Sequence, residues 1–284
     1  MVVLSVVIPA HNEQAVLPST LESLSRGTHK QLCLVIVCNG CSDFTGSVAR
    51  AVAPDAIVLE SNVASKTHAL NVGDRIASGF PRFYLDADIR VSPGALDTVA
   101  RRMAETGAPI ASPRPVMDLE GCCWLVRAYY AVWLELPYVR DGLMGTGVYA
   151  VSREGRQRFG EFPQVLADDG YVRALFKPSE RLLVTECHVV VRAPRNLANL
   201  VKIKTRSRLG VYELHKKFPE LAVAAEAHGG ALSFVASRPS LWVPAVVYLA
   251  VNLLTRWRAR SMVRQQKFSV WERDDSRRAA GSGG

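Results

Sequence analysis

Val2-Val3-Leu4-Ser5-Val6-Val7-Ile8-Pro9-Ala10-His11-Asn12-Glu13 decides the fold class of this chain. Its unbroken run of β-branched and other apolar residues reads as a strand covered on both faces, as strands of parallel sheets are. Pro9 is expected to end the strand, and a polar loop follows. Further on, Leu17, Leu21 and Leu24 share one helical face. Leu32-Cys33-Leu34-Val35-Ile36-Val37 reads as a second buried strand. It closes in the turn-rich Cys38-Asn39-Gly40-Cys41-Ser42-Asp43, and a helix is expected over Phe44 to Ala53. Ile57-Val58-Leu59 reads as a third strand. Strands alternating with helices imply βαβ units, hence an α/β class with a mainly parallel sheet flanked by helices. In such sheets ligands bind beyond the carboxyl ends of the strands. The loops at 9–13, 39–43 and 86–88 each follow a strand, so they are expected to converge there.

The last of these loops carries the clearest chemistry. Asp86-Ala87-Asp88 follows the apolar Phe83-Tyr84-Leu85. Two carboxylates one residue apart at a strand end can hold one hard divalent cation, which favours oxygen ligands and takes one or two carboxylates plus substrate phosphates. Short acidic pairs also occur in solvated turns, so the pair by itself leaves both readings open.

Five further segments accompany it. They are Val7-Ile8-Pro9-Ala10-His11-Asn12-Glu13, Asn39-Gly40-Cys41-Ser42-Asp43, Lys66-Thr67-His68-Ala69-Leu70-Asn71-Val72-Gly73, Gly145-Thr146-Gly147-Val148-Tyr149-Ala150-Val151-Ser152-Arg153 and Ala167-Asp168-Asp169. With Tyr84-Leu85-Asp86-Ala87-Asp88 they stand in the order of the motifs of family 2 glycosyltransferases, and the chain resembles that family over about residues 3–210. The resemblance implies a Rossmann-like GT-A fold. It also implies inverting transfer of a sugar from a nucleoside-diphosphate sugar to an acceptor hydroxyl, with Mg²⁺ or Mn²⁺ as cofactor.

The resemblance distributes roles as follows. Asp88 is the direct metal ligand, and Asp86 serves metal, ribose and phosphate. Pro9, Ala10, Asn12 and Glu13 line the base pocket, and Asp43 hydrogen-bonds the base. Asn39 stands where the family more often has an acid. Lys66 compensates donor charge. Gly145, Thr146 and Gly147 face the acceptor. Asp169, beside Asp168, is the general base, which a hydroxyl nucleophile needs at neutral pH. Plainer readings stand beside these: Asp43 suits a helix N-cap, Lys66 an ordinary surface position, and Asp168-Asp169 the start of a helix expected over Gly170 to Phe176. Asn71 and Gly73 are expected to shape a turn or a helix end, and His68 to pack or lie at the surface. Arg206 and Arg208 fall near the place where many relatives grip diphosphate or acceptor with an arginine-rich segment ending in Trp. Leu209 stands in place of that Trp, which weakens the case for a polysaccharide synthase. A phosphate-binding cluster and a membrane-facing basic helix both remain as readings of these arginines.

Charge divides the chain. Residues 1–200 balance, and the whole formal excess of +9 falls in residues 201–284. Basic patches suit anionic lipid, phosphate ligands or nucleic acid. Here they flank apolar helices and no base-reading motif, so nucleic acid is not expected. Leu241 to Leu254 is apolar, and Arg256, Arg258 and Arg260 follow. As a helix this stretch rises about 21 Å, short of a hydrocarbon core of about 30 Å. A span would have to run back past Arg238 towards Leu232. An interfacial helix is expected instead, with Trp242 and Tyr248 at headgroup depth and arginines on lipid phosphates. A buried helix or a dimer contact is the alternative. The expected organisation is a transferase domain over 1–210, a helical membrane-associated region over 211–270 and a disordered tail over 271–284. The expected partners are a nucleotide-sugar donor, a lipid-linked or glycan acceptor and a membrane surface. The expected location is cytoplasmic, peripheral or C-terminally anchored at the inner face of the cell membrane.

The N-terminus lacks the basic start of a secretory leader. Cysteines 33, 38, 41, 122, 123 and 187 read as reduced thiols. Cys38-x-x-Cys41 lacks the second pair that zinc would need, so no zinc is expected. Trp124, Tyr129, Tyr130 and Trp133 recur at helical spacing and read as core; Trp124, Tyr130 and Trp133 are also candidates for an acceptor groove. Asp141 to Gly147 reads as a flexible glycine-rich loop. The rival functions are a transferase with a small soluble acceptor, a nucleotidyltransferase, and a non-catalytic nucleotide-sugar-binding protein.

Overall fold

The first strand lies inside a sheet, and that position sets everything around it. The structure is a computed structural model that describes residues 4–26, 31–136, 139, 147–221 and 238–265. Strand β1 (Leu4–Ala10) is buried along its whole length. It is flanked in parallel by β2 (Leu32–Asn39) and β4 (Arg82–Leu85), and β3 (Ile57–Ser61) extends β2 in parallel. This is the parallel half that the alternation of strand and helix predicts. Beyond it the sheet is mixed. β7 (Val148–Val151) runs antiparallel to β4, β6 (Ile110–Asp118) antiparallel to β7, and β5 (Arg90–Val91) antiparallel to β8 (Arg181–Arg192). The order across the sheet is β3-β2-β1-β4-β7-β6-β8-β5.

Pro9 does not end β1, which continues to Ala10 with Pro9 opposite Val37. The paired register of β4 stops at Val7, so the proline has no ladder bond to give up on that side.

Helices cover both faces. On one, Leu4, Val6 and Ile8 meet Leu17, Leu21 and Leu24 of α1 (Leu17–Ser25), together with Val99 and Met103 of α4 (Ala95–Thr106). α2 (Thr45–Val52) adds Ala49 to the same core. The other face receives α3 (Lys66–Ile76). A Cβ on Gly73 would stand 2.5 Å from Val7 Cγ1 and 3.2 Å from Val37 Cγ2, so only glycine lets this helix lie so close to the sheet. Gly73 and Asn71 are therefore inside a helix and not at a turn. The Asn71 amide instead holds the Phe162 backbone, donating to its carbonyl at 3.0 Å and accepting from its N–H at 2.7 Å.

Asp74, one residue on, is the hub of a polar cluster under the sheet. Its carboxylate accepts from Arg82, from Tyr84 Oη at 2.5 Å, and from Arg156 Nε and Nη2 at 3.0 and 2.6 Å. Arg156 closes the short helix α6 (Arg153–Arg156).

The chain divides into two compact units, one of residues 1–117, 145–164 and 175–191, the other of residues 118–144, 165–174 and 192–284. The second holds α5 (Trp124–Trp133), α7 (Asp168–Ala174), α8 (Leu197–Lys217) and α9 (Trp242–Arg264). The expected boundary at 210 falls inside α8, and the expected tail over 271–284 lies outside the described residues. α9 packs on α5 and α8. Tyr248 stacks on Tyr129 at 5.2 Å and is only 6% exposed, so it is a core residue and does not lie at headgroup depth. Among the described residues no helix is long and apolar enough to cross a membrane. Residues 222–237, where a longer span would begin, lie outside the description.

Candidate active site

The loops after β1 and β2 converge, as read from the sequence, and backbone groups stitch them together. Asn12 takes a left-handed backbone, φ 53°, which asparagine tolerates better than most residues. Its Oδ1 accepts from Ser42 N at 2.8 Å, and its N–H donates to Cys41 Sγ at 3.4 Å. Glu13 N donates to Thr45 Oγ1 at 2.8 Å, and Phe44 N to Gln14 Oε1 at 2.9 Å. Asn39 is 2% exposed. Its amide bridges Ala10 O (2.9 Å) and Ser65 N (3.3 Å), tying the end of β1 to the start of α3. Asp43 accepts from Thr45 N at 3.0 Å and Thr45 Oγ1 at 2.5 Å, and from Gln14 N at 3.3 Å. These bonds fold the turn just ahead of α2, whose N-cap is Phe44 with no side-chain cap, so Asp43 stands one residue before the N-cap. Pro9 and Ala10 close β1 directly beneath these loops.

β4 delivers the acidic pair. Burial alternates after Leu85: Ala87 and Ile89 are inside, while Asp86 and Asp88 are half-buried. The loop is pinned from two sides and by one bond of its own. Asp86 N donates to Gly147 O at 2.8 Å, Thr20 Oγ1 of α1 to Ala87 O at 2.8 Å, and Ile89 N to Asp86 O at 3.3 Å. Gly147 has φ +63°. A Cβ there would lie 2.6 Å from Ile89 Cγ1 and 3.4 Å from Asp86 Oδ2, so both its backbone and its approach require glycine. Lys66, the first residue of α3, places Nζ 2.8 Å from Asp86 Oδ1. Three segments that are separate in sequence thus meet around one carboxylate. Gly145 and Thr146 lie outside the described residues.

The donor set fits a hard cation. Asp86 and Asp88 offer oxygens only, and among the described residues no group of three or more His, Cys, Asp or Glu could hold a metal by itself. Mg²⁺ and Mn²⁺ accept this arrangement, because substrate phosphates and water complete their shell. Cys38 is poorly suited to thiolate chemistry, since burial, and then its neighbour Cys41, push the thiol up to about 12.

In the second unit, α7 begins at the acidic pair itself, two residues earlier than expected. Asp168 is 4% exposed, whereas Asp169 faces solvent and accepts from Gly170 N at 2.7 Å. The segment leading to them is held by Glu213 of α8, whose Oε2 accepts from Leu166 N at 2.7 Å. Sequence reading missed this role. The available signal was an acid four residues before Lys217, with which Glu213 pairs at 2.8 Å. Arg206 and Arg208 are two residues apart on α8 and so project from different sides of it. Arg208 donates to Thr255 Oγ1 at 3.0 Å and to Asn252 Oδ1, so its guanidinium is engaged in the packing of α8 on α9. Lys204 sits over the rings of Trp133 (4.2 Å), Tyr129 (5.4 Å) and Tyr130 (5.5 Å). Those rings are core, as their spacing suggested, while Trp124 is exposed.

The family model described as Glycosyl transferase family 2 matches residues 5–141. These residues belong to that family. The match takes in the opening motif, the second loop, the Lys66 segment and the Asp86–Asp88 pair. The family 2 domain also has solved structural neighbours. Mannosyltransferase PcManGT from Pyrobaculum calidifontis, in complex with GDP-Man and Mn²⁺, is 20% identical with a TM-score of 0.61, covering 93% of this chain and 84% of that one. Glucosyl-3-phosphoglycerate synthase from Mycobacterium tuberculosis, in complex with Mn²⁺, UDP and glucosyl-3-phosphoglycerate, is 21% identical with a TM-score of 0.54, covering 76% and 79%. The same enzyme with Mg²⁺ and UDP gives 22% and 0.52, covering 76% and 79%. At these identities the likeness is one of fold, and the fold is GT-A. No curated protein matches the chain. The chain carries a glycosyltransferase domain.

Proposed function

We propose that the protein is an inverting glycosyltransferase that moves a sugar from a nucleoside-diphosphate sugar to an acceptor hydroxyl of a lipid-linked or cell-envelope glycan at the inner face of the cell membrane. The observation that carries this reading is the meeting of Lys66, Gly147 and Asp86 beside Asp88 at the carboxyl end of β4, within a family 2 domain. Asp86 and Asp88 would hold Mg²⁺ or Mn²⁺. When bound, such a cation supplies Lewis-acid stabilisation of the charge that develops on the leaving diphosphate. Lys66 adds positive charge on the same side. The stitched loops at 9–13 and 39–43 would hold the base, and Asp43 would offer it a carboxylate acceptor. Asp169, exposed at the start of α7, would take the acceptor's proton as the new bond forms. Neighbours crystallised with GDP-Man or UDP support a guanosine or uridine donor. The glucosyl-3-phosphoglycerate in one of them supports a second reading, a small soluble acceptor.

The test is release of nucleoside diphosphate from a panel of nucleotide sugars with Mn²⁺ or Mg²⁺. One donor should give a metal-dependent response, and Asp88→Asn should lose that response. Asp169→Asn should lower turnover by about 10²–10⁴ while the donor still raises the melting temperature. If folded protein releases nucleoside diphosphate from no donor, and pyrophosphate from a nucleoside triphosphate, the proposal gives way to a nucleotidyltransferase.

A further inference from the structure

α9 is apolar on two sides, and among the described residues one of them is covered and the other exposed. Val247, Tyr248, Val251, Thr255 and Ala259 are buried against the second unit's other helices. On the opposite side Trp242, Val246, Leu249, Leu253 and Trp257 recur every three or four residues, each 54–69% exposed. This second stripe is about 24 Å long at the helical rise. Exposed contiguous apolar surface of this kind marks an interaction site more often than an idle one.

The charges say what covers it. α9 contains no Asp or Glu, and its C-terminal half holds Arg256, Arg258, Arg260 and Arg264. By helical rotation Arg260 and Arg264 continue the line of the exposed stripe beyond Trp257, and Arg256 flanks it. A two-fold pairing with a second copy through this face would bring no carboxylate of α9 to these arginines, because it has none. A bilayer of anionic lipid satisfies both features. Hydrocarbon takes the aliphatic side chains, the interface takes the two indoles, and lipid phosphates take the guanidiniums.

We infer that α9 lies flat on an anionic membrane through its Trp242–Trp257 face, with Arg256, Arg260 and Arg264 on lipid phosphates. The helix does not cross, and Tyr248 anchors it to the protein and not to the lipid. This deepens the reading of a lipid-linked acceptor and rests on it for its purpose, since the same surface would carry that acceptor.

The experiment is flotation of the full chain with vesicles of phosphatidylcholine alone, or of phosphatidylcholine mixed with phosphatidylglycerol. The protein should float with the anionic vesicles and less so as salt is raised. Leu249→Glu with Leu253→Glu changes side chains that point away from the core. It should leave the melting temperature in place and lower vesicle binding by about tenfold or more. Arg256→Gln with Arg260→Gln should lower binding to the anionic vesicles by about fivefold per arginine and leave the apolar face intact. The inference is overturned if the parent does not float, or if the Leu249→Glu, Leu253→Glu variant floats equally well. It is also overturned if that variant turns a dimer into a monomer with no vesicle binding in either form, which would identify a second copy as the occupant. Nucleoside diphosphate release, measured without vesicles on the same proteins, separates the two readings. Flotation without release defeats the transferase proposal alone, and release without flotation defeats the membrane face alone.

Discussion

Asp74 and Asp86 are carboxylates of the same unit, each beside a cation, and the fold gives them opposite surroundings. The Asp74 side chain is 11% exposed, and two arginines and a tyrosine close on it. The Asp86 side chain is 39% exposed, and the lysine beside it stands at the head of a helix. Burial alone would push the Asp74 carboxyl up, but hydrogen bonds from Arg156, Tyr84 and Arg82 outweigh it and hold the group below its ordinary value. Burial, and then Asp74 itself, push the Tyr84 hydroxyl well above its usual range, so it remains a donor. The difference teaches that an acid serves structure when protein donors surround it. It can serve chemistry when water, and so a metal or phosphate, can still reach it.

Breaking the comparison on the structural side should give the largest effect. Asp74→Ala strands two arginines in a mostly buried cluster. It should destabilise the fold by about 3–5 kcal/mol in denaturant unfolding, while molecules that remain folded keep their turnover. On the chemical side, Asp86→Asn should lower turnover by about 10²–10³, as loss of a charge-stabilising group does. Its stability should change by no more than about 0.5 kcal/mol, because solvent replaces the lost oxygen. Lys66→Ala is a milder cut at the same pair. A half-exposed ion pair contributes about 0–1 kcal/mol, so its melting temperature should barely move, while a raised KM for the donor would report its charge. The smallest effect is in pH dependence. With its folded value depressed, Asp74 contributes stability that is whole above its unfolded value of about 3.9 and is lost as pH falls through the lower folded value. In acid titrations of stability, Asp74→Asn should flatten that limb.

The parallel half of the sheet, the convergence of its loops and the acidic pair at the end of β4 were all legible in the sequence. Apolar runs and turn residues are local signals, and topology rules say where the carboxyl ends meet. Asn71 and Gly73 were misread because a glycine inside a helix looks like a terminus until the sheet lying against it is seen. Arg208 admitted a phosphate-binding and a membrane-facing reading, and its bonds to Asn252 and Thr255 were not legible because those residues lie far along the chain. Tyr248 was assigned to the interface because α9 is apolar on both sides, and spacing alone does not say which side meets protein.

By itself, then, the sequence determined the class of fold, the family and the chemical types gathered at the site, since periodicity and motif order are properties of neighbouring residues. Only the tertiary structure decided which carboxylate is enclosed and which stays open, and which face of α9 is left over. Those outcomes depend on how many groups from distant segments arrive at one point, and burial, charge and access to water are settled there.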